Sequence, residues 1–101
     1  MWRIPATVVL AMSLGGLAPS AHADEEGRKL FTSVTPPCAL CHTLKDAGAT
    51  GQVGPSLDEL KPDAARVVKA LRNGVGQMPA FPQLTEAQVQ ALARYVEKAT
   101  R

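Results

Sequence analysis

The chain has 101 residues, 46% of them hydrophobic and 20% charged, and a formal net charge of +2. This length fits one small domain and excludes a multidomain enzyme. The slight basic excess is too small for nucleic-acid binding, so no nucleic-acid partner is expected, and two cysteines are too few for a scaffold of several disulfides.

The first 23 residues are predicted to be a secretory signal peptide. Arg3 supplies a positive start, the apolar stretch 4–17 follows, and residues 21–23 match the A-x-A cleavage pattern. The alternative is a membrane anchor, but a spanning helix needs about 20 apolar residues, more than this stretch provides. Cleavage after Ala23 would leave residues 24–101 as the mature domain, without a membrane span, in an oxidising compartment such as the bacterial periplasm.

Residues 24–101 are poor in large apolar side chains. They contain no isoleucine or tryptophan, and their aromatic residues are Phe31, Phe81 and Tyr95. Domains of this size bury a low fraction of their surface and are already marginally stable. The composition therefore predicts that something other than side chains fills the core.

A first helix is predicted to begin at Asp24, whose carboxylate can cap it, and to end before Pro36. Gly27 and Phe31 lie four residues apart and share one face of this helix. A glycine inside a helix is destabilising unless another backbone must come close. We therefore assign Gly27 to packing against another helix.

The next segment, Cys38-Ala39-Leu40-Cys41-His42, matches C-x-x-C-H, the attachment pattern of c-type haem. Thiols spaced three residues apart lie on one side of a helical turn, where each can add to a haem vinyl group, and the adjacent histidine is brought under the iron. A thioredoxin-like pair would need a βαβ surround, and the sequence has no convincing strand. A structural zinc site lacks a fourth ligand, and a disulfide would close too short a loop to stabilise the chain. Covalent haem c, one per chain, is the prediction.

Residues 43–56 contain three glycines and Pro55, which indicates a loop wrapped around the prosthetic group. A middle helix is predicted from about Pro62 to Asn73, ended by Gly74. Its inner face would carry Val67, Val68 and Leu71. The same helix carries three cations, each three residues from the next: Arg66, Lys69 and Arg72. They form either a solvated face of this helix or a docking stripe for an acidic partner.

Met78 is the only methionine in residues 24–101 and follows the glycine-containing segment 74–77. A lone methionine usually fills a gap in a core, but this one also offers a sulfur ligand for iron. After it, Thr85 and Gln88 form a capping box for a last helix. The apolar stripe of that helix is the predicted partner of Gly27; it comprises Val89, Leu92, Ala93 and Val96, with Tyr95 beside it.

These parts, in this order, resemble the class I cytochromes c over essentially all of residues 24–101. In that family C-x-x-C-H is followed by Gly-Pro-x-Leu, here residues 54–57, and by a methionine before the C-terminal helix, here Met78. The resemblance implies an all-α cytochrome c fold, with three to four short helices and loops wrapped around one covalently bound haem. It also implies that His42 and Met78 ligate the iron and that the carbonyl of Pro55 accepts a hydrogen bond from the His42 ring.

Iron with both axial positions filled has no site for a substrate, so the expected function is single-electron transfer and not catalysis. The expected partners are redox proteins: a periplasmic dehydrogenase as donor, and an oxidase or another cytochrome as acceptor. Residues 54–95 are most similar to small periplasmic cytochromes that serve dehydrogenases, including those of sulfite oxidation. Two alternatives stay open: a tightly bound haem subunit of a periplasmic dehydrogenase such as a sulfite dehydrogenase, and a haem sensor or peroxidase with a labile Met78.

Overall fold

The computed structural model describes residue 3, residues 5–7 and residues 21–101. Most of the predicted signal peptide lies outside these ranges, so its cleavage stays a prediction. The described residues form five α-helices, one 3-10 helix and two short strands. The helices are α1 (Ala21–Ser33), α2 (Cys38–Cys41), α3 (Leu57–Leu60), α4 (Ala64–Asn73) and α5 (Glu86–Ala99); the strands are β1 (Thr43–Leu44) and β2 (Ala49–Thr50). None of the helices in the described ranges combines the length and apolarity needed to cross a bilayer.

Helices α1 and α5 pack directly against each other, and Gly27 lies at their contact. A Cβ atom added to Gly27 would overlap the Cβ of Tyr95, so the two helices meet where one of them has no side chain. One turn further along α1, the rings of Phe31 and Tyr95 pack edge to face with centroids 6.3 Å apart. The predicted packing role of Gly27 is confirmed.

Substituting Gly27 by alanine is expected to lower the free energy of unfolding by about 1–3 kcal/mol, because the added methyl group forces the two helices apart. Chemical denaturation followed by circular dichroism measures the change. Lys29→Ala, at an exposed position of the same helix, is the control and should stay within about 0.5 kcal/mol of the wild type. Equal stability of Gly27→Ala and the wild type would contradict the close packing.

Helix α5 begins as predicted from the sequence. The Thr85 hydroxyl accepts a hydrogen bond from the Gln88 amide, and the Gln88 side chain accepts one from the Thr85 amide, which completes the capping box. The predicted stripe of α5 is buried in the core together with Tyr95. Residues of α1 and α4 join the same core, among them Phe31 and Leu71.

Two helix starts differ from prediction. Helix α1 includes Ala21, so Asp24 lies within its first turn and not at its N-cap; alanine has the highest helix propensity and extends the helix upstream. The Asp24 carboxylate instead accepts a hydrogen bond from Lys98 Nζ at 2.6 Å. Helix α4 begins after Asp63 and not at Pro62, because the Asp63 carboxylate caps it by accepting a hydrogen bond from the Arg66 amide at 2.8 Å.

The segment predicted as a plain loop contains a small antiparallel hairpin. Strands β1 and β2 pair Thr43 with Thr50, and the 3-10 helix Lys45–Ala47 connects them. Gly48 completes the turn in the left-handed region at φ 63°, which glycine adopts readily. The all-α class is otherwise confirmed. In the described part of the chain, the α-helices number five and not three to four, because α2 and α3 are single turns of four residues.

A polar cluster of Arg28, Asp46 and Tyr95 ties three elements together. The Tyr95 hydroxyl donates to the Asp46 carboxylate at 2.6 Å, and the Arg28 guanidinium donates to the same oxygen at 3.0 Å. The two hydrogen bonds hold the pKa of Asp46 below its usual value. Burial, and then the hydrogen bond to Asp46, raise the pKa of Tyr95 to about 12. The cluster joins α1, the 3-10 helix and α5.

Tyr95 is the only tyrosine of the chain, so its titration can be followed by tyrosinate absorbance. We expect a pKa of about 12, with Asp46→Asn lowering it and Arg28→Gln raising it, because Asp46 favours the neutral phenol and Arg28 favours the anion. Because the pKa of Tyr95 is higher in the folded chain, this group stabilises the fold below about pH 10 and loses its contribution as the pH rises towards 12. Titration near pH 10 in the folded wild type would contradict this.

Candidate haem site

A cavity of about 660 Å³ opens between the helices of the described chain. Its walls are mainly apolar, and the buried side chains among them include Phe31, Leu57, Leu71, Phe81, Leu92 and Val96. Cofactor pockets typically have volumes of about 300–1,000 Å³ and such apolar walls with a few polar groups. The cavity is therefore of the size and character required for a bound prosthetic group.

Both cysteines of the attachment pattern and the adjacent histidine line this cavity. Cys38 and Cys41 begin and end α2, a single helical turn that starts after Pro37, and His42 follows in an extended conformation with φ −120°. Gly51 allows the next loop to lie against this turn: an added Cβ would be 2.6 Å from the carbonyl carbon of Leu40. The fold thus brings together the three residues that the sequence placed side by side.

The free thiol of Cys38 is poorly reactive in the folded chain. Burial raises its pKa to about 11, since the thiolate loses hydration. The thiolate is the nucleophilic form of cysteine, so a folded chain presents Cys38 almost entirely as the unreactive thiol. Thioether formation is therefore expected before the chain folds.

The ring of His42 is fixed by the segment that precedes α3. Its Nδ1 lies 2.8 Å from the carbonyl oxygen of Pro55, the hydrogen bond that the resemblance implies. A carbonyl only accepts, so Nδ1 carries the proton and Nε2 keeps a free lone pair. Gly54 makes this approach possible, because an added Cβ would lie 2.5 Å from His42 Cε1. His42, Gly54 and Pro55 all line the cavity.

Met78 also lines the cavity, at the end of a tight turn after α4. The amides and carbonyls of Val75 and Met78 exchange two hydrogen bonds, at 3.0 and 2.8 Å. Gly76 adopts φ 53° within the turn, and Gly74 adopts φ 71° where an added Cβ would be 2.8 Å from the Met78 carbonyl oxygen. The turn therefore needs glycine at both positions, and it fixes the backbone that carries the Met78 sulfur.

The residues present fit a c-type haem. Two thiols on one helical turn, an imidazole with a free Nε2 and a thioether line one apolar cavity. Cysteine thiols attach the porphyrin, while imidazole nitrogen and methionine sulfur are the axial ligand pair of cytochromes c. Cys38, Cys41, His42 and Met78 are thus brought together by the fold, and the carbonyl oxygen of Pro55 accepts the hydrogen bond of the His42 ring.

The three cations of α4 have two different surroundings, which the sequence did not predict. Arg66 and Lys69 line the cavity, whereas Arg72 does not and forms an ion pair with Glu86. Arg66 lies four residues before Ala70, which also lines the cavity, so one face of α4 carries both, and the equal spacing of the three cations gave no signal of this. Val53 and Val75, which the sequence also left unassigned, line the cavity while 75% and 63% exposed.

Comparison with known proteins agrees with this site. The family model described as cytochrome c oxidase, cbb3-type, subunit III matches residues 22–96. The solved structure of the c-type cytochrome SorU from Sinorhizobium meliloti is 50% identical, with 80% of this chain and 94% of that chain covered and a TM-score of 0.77. Curated protein sequences gave no significant match. From the family match over most of its length and this structural relative, the chain belongs to the cytochrome c family and is a small class I c-type cytochrome, an electron-transfer protein and not an enzyme.

Proposed function

We propose that the protein is a periplasmic single-electron carrier with one haem, attached through Cys38 and Cys41 and ligated by His42 and Met78. One observation carries the proposal: all four side chains line the same cavity, and the Pro55 carbonyl leaves the Nε2 of His42 available to a metal. When bound, the haem supplies a one-electron couple.

The residues around the cavity favour the reduced state of the group they hold. A thioether ligand such as Met78 favours ferrous iron relative to a second imidazole. The apolar walls add to this, because a low-dielectric surround disfavours the additional positive charge of the ferric form. Both effects raise the reduction potential, which suits a protein that accepts electrons from a dehydrogenase and passes them to an oxidase or another cytochrome.

The edge of the cavity supports brief docking of redox partners. Val53 and Val75 line the cavity and are largely exposed, so they offer apolar contact close to the bound group. Electron-transfer complexes are usually small and weak, which permits rapid turnover of partners. We therefore propose a free carrier whose partners dock over these two valines.

The mass of the purified, denatured protein tests attachment and processing together. Produced in a host with haem attachment machinery, it should have the mass of residues 24–101 plus one haem. Redox titration should then give one electron per chain. Release of the haem by acid acetone would contradict covalent attachment, and a chain that retains residues 1–23 would contradict cleavage.

Two measurements separate the carrier from its alternatives. Gel filtration of the native extract should place the protein at the size of a free small domain; co-elution with a dehydrogenase would favour a permanent subunit, for example of a sulfite dehydrogenase. The reduced protein should not bind carbon monoxide at neutral pH, because Met78 occupies the sixth position. Ready binding would favour a sensor or peroxidase.

A further inference from the structure

Among the described residues, Arg66 and Lys69 are the two cationic side chains that line the cavity, and no carboxylate of these residues lines it. Apart from these two, its titratable lining groups are Cys38, Cys41 and His42. Attachment and ligation occupy those three in the proposed function. The site therefore carries an excess of fixed positive charge at one place, on one face of α4.

Arg66 and Lys69 have no ion pair within the described residues, although charged side chains elsewhere do. Arg28 pairs with Asp46, Arg72 with Glu86 and Lys98 with Asp24. The contrast within α4 is informative, since Arg72 lies only one or two turns from the other two cations. The cation turned away from the cavity has a protein partner, and the two that line it have none.

Both side chains are exposed while lining the cavity, so they lie where its wall meets solvent. Lys69 also lines a second groove, which it shares with Arg72, whereas Arg66 does not line that groove. Arg66 is therefore the more specifically placed of the two. The Asp63 carboxylate accepts a hydrogen bond from the Arg66 amide at 2.8 Å and so fixes the start of the helix that carries Arg66.

A haem carries two propionate carboxylates, and an apolar cavity offers an anion no compensation for lost hydration. We propose that Arg66, assisted by Lys69, binds these carboxylates and so positions the haem and tunes its potential. The inference rests on the proposed function. A guanidinium presents a planar pair of donors that matches a carboxylate, which gives Arg66 an orienting role that a lysine supplies less well.

A cation near the haem stabilises the ferrous form, which has one positive charge fewer. Arg66→Gln should therefore shift the ferrous/ferric equilibrium towards ferric iron by about threefold, or ~30 mV for a one-electron couple. The same substitution should raise the pKa of the propionate, because a propionate without its cation holds its proton more tightly. The potential should then vary with pH over a range that lies at higher pH than in the wild type. Arg66→Lys should recover part of both effects.

The test is the midpoint potential as a function of pH for Arg66→Gln, Lys69→Gln and Arg66→Lys, with Arg72→Gln as the matched control. Arg72→Gln removes a cation of the same helix outside the cavity and should keep the wild-type profile. A wild-type profile for Arg66→Gln, or an equal shift for Arg72→Gln, would overturn the inference. So would an effect confined to the rate of reaction with an acidic partner, which would make Arg66 part of a docking surface. Failure of the proposed function would differ, because the wild type itself would then lack covalent haem or a reversible one-electron couple.

Discussion

Replacing both Cys38 and Cys41 by serine is expected to leave a chain that does not fold cooperatively. The cavity of about 660 Å³ is lined by several of the largest side chains of the core. At about 24 cal/mol per Å³ an unfilled cavity of this size would cost about 16 kcal/mol, an upper figure because water enters it. Even a third of that, about 5 kcal/mol, approaches the whole stability of a small domain.

Circular dichroism during thermal unfolding measures this effect. The double variant should have little helical signal and no sigmoidal transition. Cys38→Ser alone is the control: it keeps one attachment bond, so chains that retain haem should keep a cooperative transition at a lower temperature. Native-like helicity with cooperative melting in the haem-free double variant would show that side chains alone fill the core.

Substituting Met78 by alanine is expected to lower the reduction potential by on the order of 100 mV, which is about a fiftyfold change in the equilibrium of a one-electron couple. The thioether is the ligand that favours ferrous iron, and its loss opens the sixth position. The reduced variant should then bind carbon monoxide. The ferric variant should also lose the weak long-wavelength absorption band that the resemblance to methionine-ligated cytochromes c implies.

Two variants distinguish ligation from a structural role of Met78. Gln77→Ala changes the neighbouring residue, which also lines the cavity, and should keep the wild-type potential. Met78→His should restore six-coordination without restoring the potential, because imidazole donates more strongly to ferric iron. A Met78→Ala protein with unchanged potential and no affinity for carbon monoxide would rule out sulfur as the sixth ligand.

The sequence predicted the helices correctly where it contains a clear local signal, such as a capping box or an apolar stripe. The capping box of Thr85 and Gln88 and the apolar stripe after it located α5 correctly. Gly27 indicated a close helix contact, because a glycine inside a helix needs a compensating contact to be tolerated. The position of Tyr95 opposite it required the three-dimensional structure, since the two residues come from opposite ends of the domain.

The hairpin and α3 were missed because they are too short to produce a periodic pattern. Strands of two residues show no alternation, and Leu57–Leu60 forms a single turn after its Ser56 cap. The sequence predicted which residues form the candidate site, but it did not predict the other residues that line the cavity. The different surroundings of Arg66 and Arg72 depend on tertiary packing, which the equal spacing of three residues cannot reveal.

The pairing of α1 with α5 also orders events during the export that we propose. Helix α1 would enter the periplasm early, whereas its packing partner is the last helix of the chain. A lone helix of 13 residues is only marginally stable in water, so the N-terminal half stays open until almost the whole chain has emerged. During that interval the Cys38 thiol is hydrated and has ordinary acidity. The topology thus gives the attachment machinery time to reach both cysteines before closure buries one of them.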